Sequence, residues 1–266
     1  MADQALPPDL ARALDFTGRG VLVTGGTRGV GASVTAAFLA AGADVVVGAR
    51  HEPAEEETEG AARRAHFVAA DVREPDQARG LVAEAVHRLG RLDVLVNNAG
   101  GSPYAPSAEA SPRLFAGVVT LNLLAPFYCA QAANAVMQEQ DDGGLILNIG
   151  SVSGVRPSPG TAAYGAAKAG LINLTATLAV EWAPKVRVNC ITAGLMDTGS
   201  GPEHYGGIEG MARVAATVPL GRVGVPADVA GLCLLLSSTL AAYVSGANLV
   251  AHGGGEWPAF LRAAQS

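Results

Sequence analysis

The stretch "VTGGTRGVGAS", residues 23–33, joins a short apolar run to a segment of helical length through a turn rich in glycine. Glycine allows a backbone to approach a phosphate group closely, and a helix that starts there offers amide donors and the positive end of its dipole. The glycine spacing is not GxGxxG, and Ala32 and Ser33 follow Gly31 where a P-loop requires Lys and Ser/Thr. A tight strand-to-helix connection without a ligand has a similar composition. The turn therefore predicts a strand followed by a helix, and a nucleotide needs support from elsewhere in the chain.

Short apolar runs, mostly of β-branched residues, recur along the chain and alternate with longer alanine-rich segments. Seven such runs separated by helices predict an α/β protein with a doubly wound, seven-stranded parallel sheet and helices on both faces. Ligands of such sheets bind at the carboxyl ends of the strands. The runs are GVLVT at 20–24, ADVVVGA at 43–49, HFVA at 66–69, LDVLVN at 92–97, GLILNIG at 144–150, VRVNCI at 186–191 and NLVA at 248–251.

The chain length of 266 residues fits one large domain, which we assign to residues 16–254. Residues 1–15 form an N-terminal extension to it, and residues 255–266 form a C-terminal tail. The glycine-rich stretch "MDTGSGPEHYGGIEG", residues 196–210, lies where a lid over a substrate would be. We therefore predict a lid at about residues 195–218.

Composition narrows the class of ligand and the compartment. The formal net charge of −6 argues against nucleic acid and anionic membrane surfaces as partners and favours a small molecule. The three cysteines, Cys129, Cys190 and Cys233, are odd in number and lack CxxC spacing, and the five histidines show no metal-ligand spacing. We expect neither a disulfide framework nor a metal site. The N-terminus has no basic segment followed by an apolar one, so it is unlike a signal peptide, and the sequence predicts a cytoplasmic protein.

Two long segments, residues 114–138 and 161–180, carry almost no charge. The first is long enough to span a bilayer, but Asn122, Gln131 and Pro126 lie within it and no basic cluster sets an orientation, so we predict no membrane span. A helix that is uncharged all round is typically buried on several sides. We therefore predict that these helices pack against the sheet on one face and against another subunit on the other, in a homotetramer or homodimer.

The end of the second apolar run, "VVVGAR", bears on the choice of nucleotide. In dinucleotide-binding sheets an acidic residue at this place hydrogen-bonds a ribose 2′-hydroxyl, whereas an arginine accommodates a 2′-phosphate. Here Ala49 stands where the acid would serve, Arg50 follows it, and Arg28 in the glycine turn supplies a second cation. Two arginines favour NADP(H) over NAD(H). Glu52 nearby keeps NAD(H) as the alternative.

Lys168 and Lys185 are the only lysines of the chain, and the first lies four residues after a tyrosine in "YGAAK", residues 164–168. On a helix, residues at this spacing share a face. An ammonium beside a phenol stabilises the phenolate and lowers its pKa from near 10, which eases proton exchange at neutral pH. Hydride transfer between a nicotinamide and a carbonyl carbon leaves negative charge on the oxygen, and such a phenol can supply the proton. The pair therefore predicts an oxidoreductase with Tyr164 as general acid/base, acting on a ketone or a secondary alcohol.

The motifs "TGGTRGVG", "NNAG" and "YGAAK", with Ser151 thirteen residues before Tyr164, together resemble the short-chain dehydrogenase/reductase family. The resemblance runs from about Phe16 to Gly254. It implies a Rossmann-type sheet that carries both the cofactor and the catalytic residues in one domain.

The resemblance also assigns roles to individual residues. The catalytic set is Asn122, Ser151, Tyr164 and Lys168: Ser151 would hydrogen-bond the substrate oxygen, and Asn122 would hold a water that links Lys168 to solvent. The cofactor-binding set is Gly25, Thr27, Arg28, Gly29, Val30, Gly31, Arg50, Asp71, Val72, Asn98, Ala99, Gly100, Tyr164, Lys168, Gly194, Met196 and Thr198. The substrate-pocket candidates are Ser153, Arg156, Leu195, His204 and Tyr205.

Two positions depart from the family pattern. Ala193 stands where the family usually has a proline, and His252 replaces the usual acid before the last glycines. The first bears on the rigidity of the backbone beside the nicotinamide, and the second bears on the C-terminal subunit contact.

Two other classes of function compete with this interpretation. A serine hydrolase would need GxSxG, but residues 150–154 read GSVSG, with Val152 at the nucleophile position. A non-catalytic dinucleotide sensor can share the fold, but it has no need of a proton donor such as Tyr164.

Overall fold

In the computed structural model, which describes residues 10–52, 65–199 and 205–264, seven strands form one parallel sheet. The strands are β1 (Gly20–Thr24), β2 (Asp44–Ala49), β3 (His66–Ala69), β4 (Val94–Asn97), β5 (Gly144–Ser151), β6 (Val186–Ala193) and β7 (Asn248–Ala251). Their order across the sheet is β3-β2-β1-β4-β5-β6-β7. The predicted seven-stranded, doubly wound sheet is therefore confirmed. The order reverses between β1 and β4, and such a switch point is where open sheets bind ligands.

Helices cover both faces of the sheet. They are α1 (Leu10–Ala13), α2 (Gly29–Ala40), α3 (Pro75–Leu89), α4 (Pro112–Val119), α5 (Ala125–Met137), α6 (Ala162–Glu181), α7 (Gly207–Ala215), α8 (Pro226–Ser237) and α9 (Ala259–Ala263). Phe38 of α2 and Cys233 of α8 belong to the core on one face. Leu81 of α3, Met137 of α5 and Leu178 of α6 belong to the core on the other face.

The strands are apolar on both sides because each side meets a layer of helices. In β1, Val21 and Val23 enter one core and Leu22 enters the other, as the period of two along a strand requires. This explains why the sequence shows continuous apolar runs instead of a regular alternation of apolar and polar residues.

A cluster of charged residues ties the strands together at the amino edge of the sheet. Asp93, just before β4, accepts hydrogen bonds from the guanidinium of Arg19 at 2.8 Å and from Arg91 at 2.6 Å, and from the backbone N–H of Gly20 at 2.8 Å. Asp142, ahead of β5, adds a second carboxylate 3.3 Å from each arginine. The starts of β1, β4 and β5 are thus fixed far from the edge that binds ligands.

The uncharged segment Pro112–Met137 consists of α4, one π-helical turn at Thr120–Leu124 and α5. By length and composition alone it is the one described segment that could cross a membrane, but 33% of its most apolar window is buried inside the protein, and core helices pass the same test. Pro126 has no N–H to donate to the carbonyl of Asn122, so the α-helical hydrogen bond at that place is missing. The π turn ends at Leu124, two residues before that proline, and it contains Asn122.

The two ends of the chain and the predicted lid are described in part. Residues 1–9 of the predicted N-terminal extension and residues 200–204 of the predicted lid lie outside the described residues. The rest of the predicted lid contains α7. In the C-terminal tail, the backbone N–H of Trp257 donates to the carbonyl of Thr217 at 3.0 Å, so the tail packs back against the end of the predicted lid.

Candidate active site

A cleft of about 910 Å³ opens at the carboxyl edge of the sheet, at the switch point between β1 and β4. From the predicted cofactor-binding set it is lined by Gly25, Thr27, Arg28, Gly29, Val30, Arg50, Asp71, Val72, Asn98, Ala99, Gly100 and Thr198. Sequence reasoning missed His51, Arg73 and Leu121, which also line it. The volume suits a nucleotide, since small-molecule pockets measure about 300–1,000 Å³.

The glycine turn leaves the N-terminus of α2 open toward this cleft. No side chain caps the first turn of α2, whose N-cap residue is Arg28, so its amide donors face the cleft. Asn98 fixes the glycine turn, because its side-chain amide donates to the carbonyls of Thr24 and Gly25, each at 3.0 Å. Gly31 lies against the Gly25 carbonyl, where a side chain would overlap the backbone. The cradle therefore fits the pyrophosphate of a dinucleotide.

Three arginines line the cleft, and they differ in their partners. The carboxylate of Asp71 accepts two hydrogen bonds from Nε of Arg73, at 2.9 and 3.1 Å, and a third from Nη2. This contact with Arg73 lowers the pKa of Asp71, so the carboxylate is charged and already engaged. Arg28 and Arg50 are exposed, and neither forms an ion pair with a carboxylate among the described residues, although the charge of Arg50 also helps to lower the pKa of Asp71. Arg73 was detectable in the sequence only as a cation two residues after Asp71.

The residues of the predicted reactive set meet where β5 and α6 approach each other. Ser151 ends β5 and pairs with Ala193 of β6 in the sheet register. The turn after it packs on α6, since Gly154 leaves no room for a side chain against the backbone of Lys168. Tyr164 and Lys168 lie one turn apart on α6, with the lysine Nζ 5.6 Å from the centroid of the tyrosine ring. The predicted sharing of one helix face is therefore observed.

Burial controls the protonation of both residues. It raises the pKa of Tyr164, and the hydrogen bond with the side chain of Ser151 opposes that rise. Lys168 is 3% exposed, and burial lowers its pKa to about 8. Its Nζ donates to the carbonyl of Ile149 at 2.7 Å. The expected lowering of the Tyr164 pKa by Lys168 is wrong for this arrangement, because desolvation of the phenol dominates and the ammonium is directed at a backbone carbonyl.

Asn122 lies in the π turn and is completely buried. Its side-chain amide donates to the carbonyls of Gly101 at 2.8 Å and Val118 at 2.9 Å, and its side-chain oxygen accepts from the N–H of Gly101 at 3.0 Å. A methyl group on Gly100 would lie 2.8 Å from that oxygen and 3.4 Å from Nζ of Lys168. Asn122 and Lys168 therefore converge on Gly100, which lines the cleft.

The residues that follow β6 lie at two different cavities. Thr198 approaches Gly29 across the cleft, whereas Leu195 and Met196 line a second cavity of about 400 Å³. Gly194 packs against the backbone of His252, which also lines the second cavity. The assignment of Gly194, Leu195 and Met196 to the cofactor and substrate stays a prediction.

Two of the substrate-pocket candidates, Ser153 and Arg156, lie just after Ser151. The hydroxyl of Ser153 is hydrogen-bonded to that of Ser158 at 3.0 Å, and Arg156 forms an ion pair with Glu256. Tyr205 is partly buried ahead of α7, while His204 lies outside the described residues. Among the described residues, no group of three or more His, Cys, Asp or Glu side chains is placed to hold a metal ion.

Comparison with known proteins agrees with this geometry. The family model described as enoyl-(acyl carrier protein) reductase matches residues 25–256. The L-rhamnose 1-dehydrogenase (NAD(P)(+)) of Azotobacter vinelandii is 35% identical over 245 residues, which are 88% of this chain and 95% of that protein. The 3beta-hydroxysteroid dehydrogenase 1 of Eggerthella lenta is 36% identical over 246 residues, which are 90% and 94% of the two chains. The solved structure of a short-chain type dehydrogenase/reductase from Mycobacterium marinum has a TM-score of 0.85 at 31% identity and covers 94% of this chain and 100% of its own.

A cleft with a phosphate cradle that ends beside a partly buried tyrosine and a buried lysine is what hydride transfer on a Rossmann-type sheet requires, and the similar proteins are dehydrogenases and reductases. The chain belongs to the short-chain dehydrogenase/reductase family. It is an NAD(P)-dependent oxidoreductase that acts on a CH–OH or C=O group.

Proposed function

We propose that this enzyme transfers a hydride between NADP(H) and a ketone or secondary alcohol, with Tyr164 as the general acid/base. The observation that carries the proposal is that Ser151, at the end of β5, lies near enough to Tyr164 to oppose the rise that burial causes in the pKa of its phenol, with Lys168 one turn farther along α6 and its Nζ 5.6 Å from the centroid of the tyrosine ring. Bound in the cleft, the nicotinamide ring supplies or accepts the hydride. Groups of this chain then stabilise the negative charge that develops on the substrate oxygen.

Each polar residue near that oxygen has a distinct task in this proposal. Ser151 donates a hydrogen bond that positions the substrate oxygen, and Tyr164 delivers the proton in the direction of reduction. Its raised pKa suits this role, because the phenol stays protonated at neutral pH. The ammonium of Lys168 favours negative charge nearby, and Asn122 holds the loop of Gly100 and Gly101 against it. A water on Asn122 that relays protons to Lys168 remains part of the proposal.

The preference for NADP(H) is supported by the end of β2. Ala49 ends that strand where an acid would bond a 2′-hydroxyl, and the guanidinium groups of Arg28 and Arg50 line the same part of the cleft. Glu52 also lines it and supports the alternative, an enzyme that prefers NAD(H). Two arginines without an ion pair among the described residues, against the single carboxylate of Glu52, favour the 2′-phosphate.

The proposal is tested by thermal shift with NADPH and NADH at equal concentration, followed by a panel of ketones and secondary alcohols with the preferred nucleotide. Because a ligand at free concentration L stabilises the folded state by RT ln(1 + L/Kd), the nucleotide with the lower Kd raises Tm further at equal concentration, and NADPH should raise it more than NADH. Greater stabilisation by NADH would overturn the cofactor assignment. The absence of turnover across the panel would overturn the proposed substrate class.

The rate of ketone reduction should depend on the protonation of Lys168. We expect kcat/KM with NADPH to fall as the pH rises above about 8, because the neutral amine no longer favours charge on the substrate oxygen. The fall should approach about tenfold per pH unit for a single ionisation. Tyr164, whose pKa lies above its ordinary 10.0, stays protonated over this range. Initial rates between about pH 6 and pH 10 measure the profile.

The other lysine of the chain offers the control for this profile. Lys185→Met should keep the descending limb, since the ammonium of Lys185 donates to the carbonyls of Gln138 and Gln140, away from the reactive residues. Lys168→Met should be slow and lack the limb. A wild-type rate that stays level to about pH 10 would rule out Lys168 as its source.

We also propose a homo-oligomeric assembly in the cytoplasm. The helices that cover the reactive half of the sheet expose apolar side chains, with Phe115 of α4 43% exposed and Val180 of α6 80% exposed. Contact with a second copy would remove this surface from water. All three cysteines are unpaired and buried, which suits a reducing compartment.

A further inference from the structure

Arg156 lies on the segment between two residues of the proposed reactive set, five positions after Ser151 and eight before Tyr164. Its Nη2 donates to a carboxylate oxygen of Glu256 at 2.6 Å, and its Nη1 donates to the neighbouring carbonyl of Pro157 at 3.1 Å. Its Nε is buried and has no acceptor among the described residues. A buried donor of a charged group without an acceptor is uncommon, because it loses its hydration and gains nothing in exchange.

Arg156 lies near Tyr205, another of the substrate-pocket candidates. Tyr205 is partly buried there, and its hydroxyl accepts a hydrogen bond from the backbone of Met196, just beyond the end of β6. Burial is the main cause that raises the pKa of this phenol, Asp197 adds to the rise, and the charge of Arg156 opposes it. The guanidinium is therefore close to the groups that follow β6, on the same side of the sheet as Ser151.

Glu256 reaches Arg156 from the C-terminal tail, beyond the last strand of the sheet. It follows three glycines, residues 253–255, all with positive φ, and the last strand has already ended at Ala251. The next residue, Trp257, is held by one backbone hydrogen bond to Thr217. Glu256 uses only one oxygen on the guanidinium, although a carboxylate can bridge Nε and Nη2 with both.

We propose that Arg156 selects the substrate: it binds a carboxylate carried by the ketone or alcohol, and Glu256 occupies the guanidinium until that carboxylate replaces it. The inference rests on the proposed function and names its substrate class, oxocarboxylates and hydroxycarboxylates whose acid group is remote from the reacting carbon. A substrate carboxylate that bridges Nε and Nη2 supplies the acceptor that Nε lacks. A neutral ester cannot do this, because displacing Glu256 would leave both charges unpaired.

The test compares 4-oxopentanoate, 5-oxohexanoate and 6-oxoheptanoate with their methyl esters as substrates of the wild type, Arg156→Gln, Arg156→Lys and Glu256→Gln. We expect the wild type to prefer at least one acid over its ester in kcat/KM. Arg156→Gln should lower kcat/KM for that acid about 10- to 100-fold and change the ester less than about twofold, as the loss of a charge-assisted pair predicts. Arg156→Lys should recover part of the loss, because it keeps the charge without the planar fork.

A second, independent test uses the proposal that Glu256 competes with the substrate carboxylate for Arg156. Glu256→Gln should lower KM for the acid several-fold and leave the ester unchanged, since it removes an internal carboxylate and no catalytic group. Arg88→Gln, on the last turn of α3 at the opposite edge of the sheet, is the matched charge control and should change neither substrate. Calorimetric binding of pentanoate, hexanoate and heptanoate to the NADPH-saturated proteins supplies a readout that does not depend on turnover.

The outcomes separate this inference from the proposed function. Ester reduction with no effect of Arg156→Gln on the acids would overturn the carboxylate site and leave hydride transfer intact. Carboxylate binding that is lost in Arg156→Gln, without turnover of any ketone, would support the site and contradict the proposed reaction for this substrate class. Tighter carboxylate binding in Arg156→Gln would overturn the inference outright.

Discussion

Phenylalanine in place of Tyr164 is expected to lower kcat/KM for ketone reduction by about two to four orders of magnitude, the range that a positioned general acid contributes. The substitution removes one oxygen and keeps the ring, so packing on α6 is preserved. NADPH affinity should stay within about twofold, because Tyr164 does not line the cleft that holds the glycine turn. Steady-state rates and a fluorescence titration of NADPH measure the two quantities.

Tyr243 provides the matched control for this prediction. Its side chain is fully exposed, and Tyr243→Phe removes the same oxygen without touching the site, so both rate and affinity should be unchanged. Wild-type turnover in Tyr164→Phe would eliminate the phenol as proton donor. Loss of NADPH binding together with turnover would mean that the residue supports the structure of the cleft instead.

Alanine at Arg28 or Arg50 is expected to raise the Kd for NADPH about 10- to 100-fold, since a hydrogen bond to a charged group contributes about 1.5–3 kcal/mol. Affinity for NADH should change less than about twofold, because NADH lacks the 2′-phosphate. Both residues line the cleft, both are exposed, and neither forms an ion pair among the described residues, so each guanidinium is available to a phosphate. Titrations of both nucleotides against each variant measure the effect.

Two further variants sharpen the cofactor prediction. Arg73→Ala tests the third arginine of the cleft, whose charge is already matched by Asp71, and it should cost NADPH affinity less than either of the other two. Arg88→Ala, away from the cleft, should have no effect on either nucleotide. Equal losses for NADPH and NADH in Arg50→Ala would mean that the residue binds a part common to both nucleotides.

The fold was predictable because local sequence and global architecture agree. The runs at Gly20–Thr24, His66–Ala69 and Asn248–Ala251 coincide with strands, and the glycine turn lies at the start of α2 as expected. Because each apolar strand contributes to a core on both faces of the sheet, few arrangements of the helices and strands are possible. Helix spacing predicted that Tyr164 and Lys168 share one face, whereas the place of Ser151 beside them was implied by the family resemblance.

The electrostatics of the site were not predictable in the same way. A spacing of four residues brings Lys168 beside Tyr164, but it does not reveal that Nζ is directed at the Ile149 carbonyl or how deeply the phenol is buried. The contact of Arg156 with Glu256 joins residues one hundred positions apart, and no local pattern marks it. Such properties depend on tertiary packing, which the sequence encodes only through the whole fold.

The charged cluster around Asp93 lies at the opposite edge of the sheet from the groups that meet ligands. The alignment of the strands is therefore fixed by residues that take no part in ligand binding. The turns after β5 and β6 do not have to contribute to it. Such a separation lets those turns diverge between related genes, or be redesigned in the laboratory, with little loss of folding stability. Two similar dehydrogenases are named for a sugar and for a steroid. A separation of strand alignment from ligand binding permits such differences in substrate.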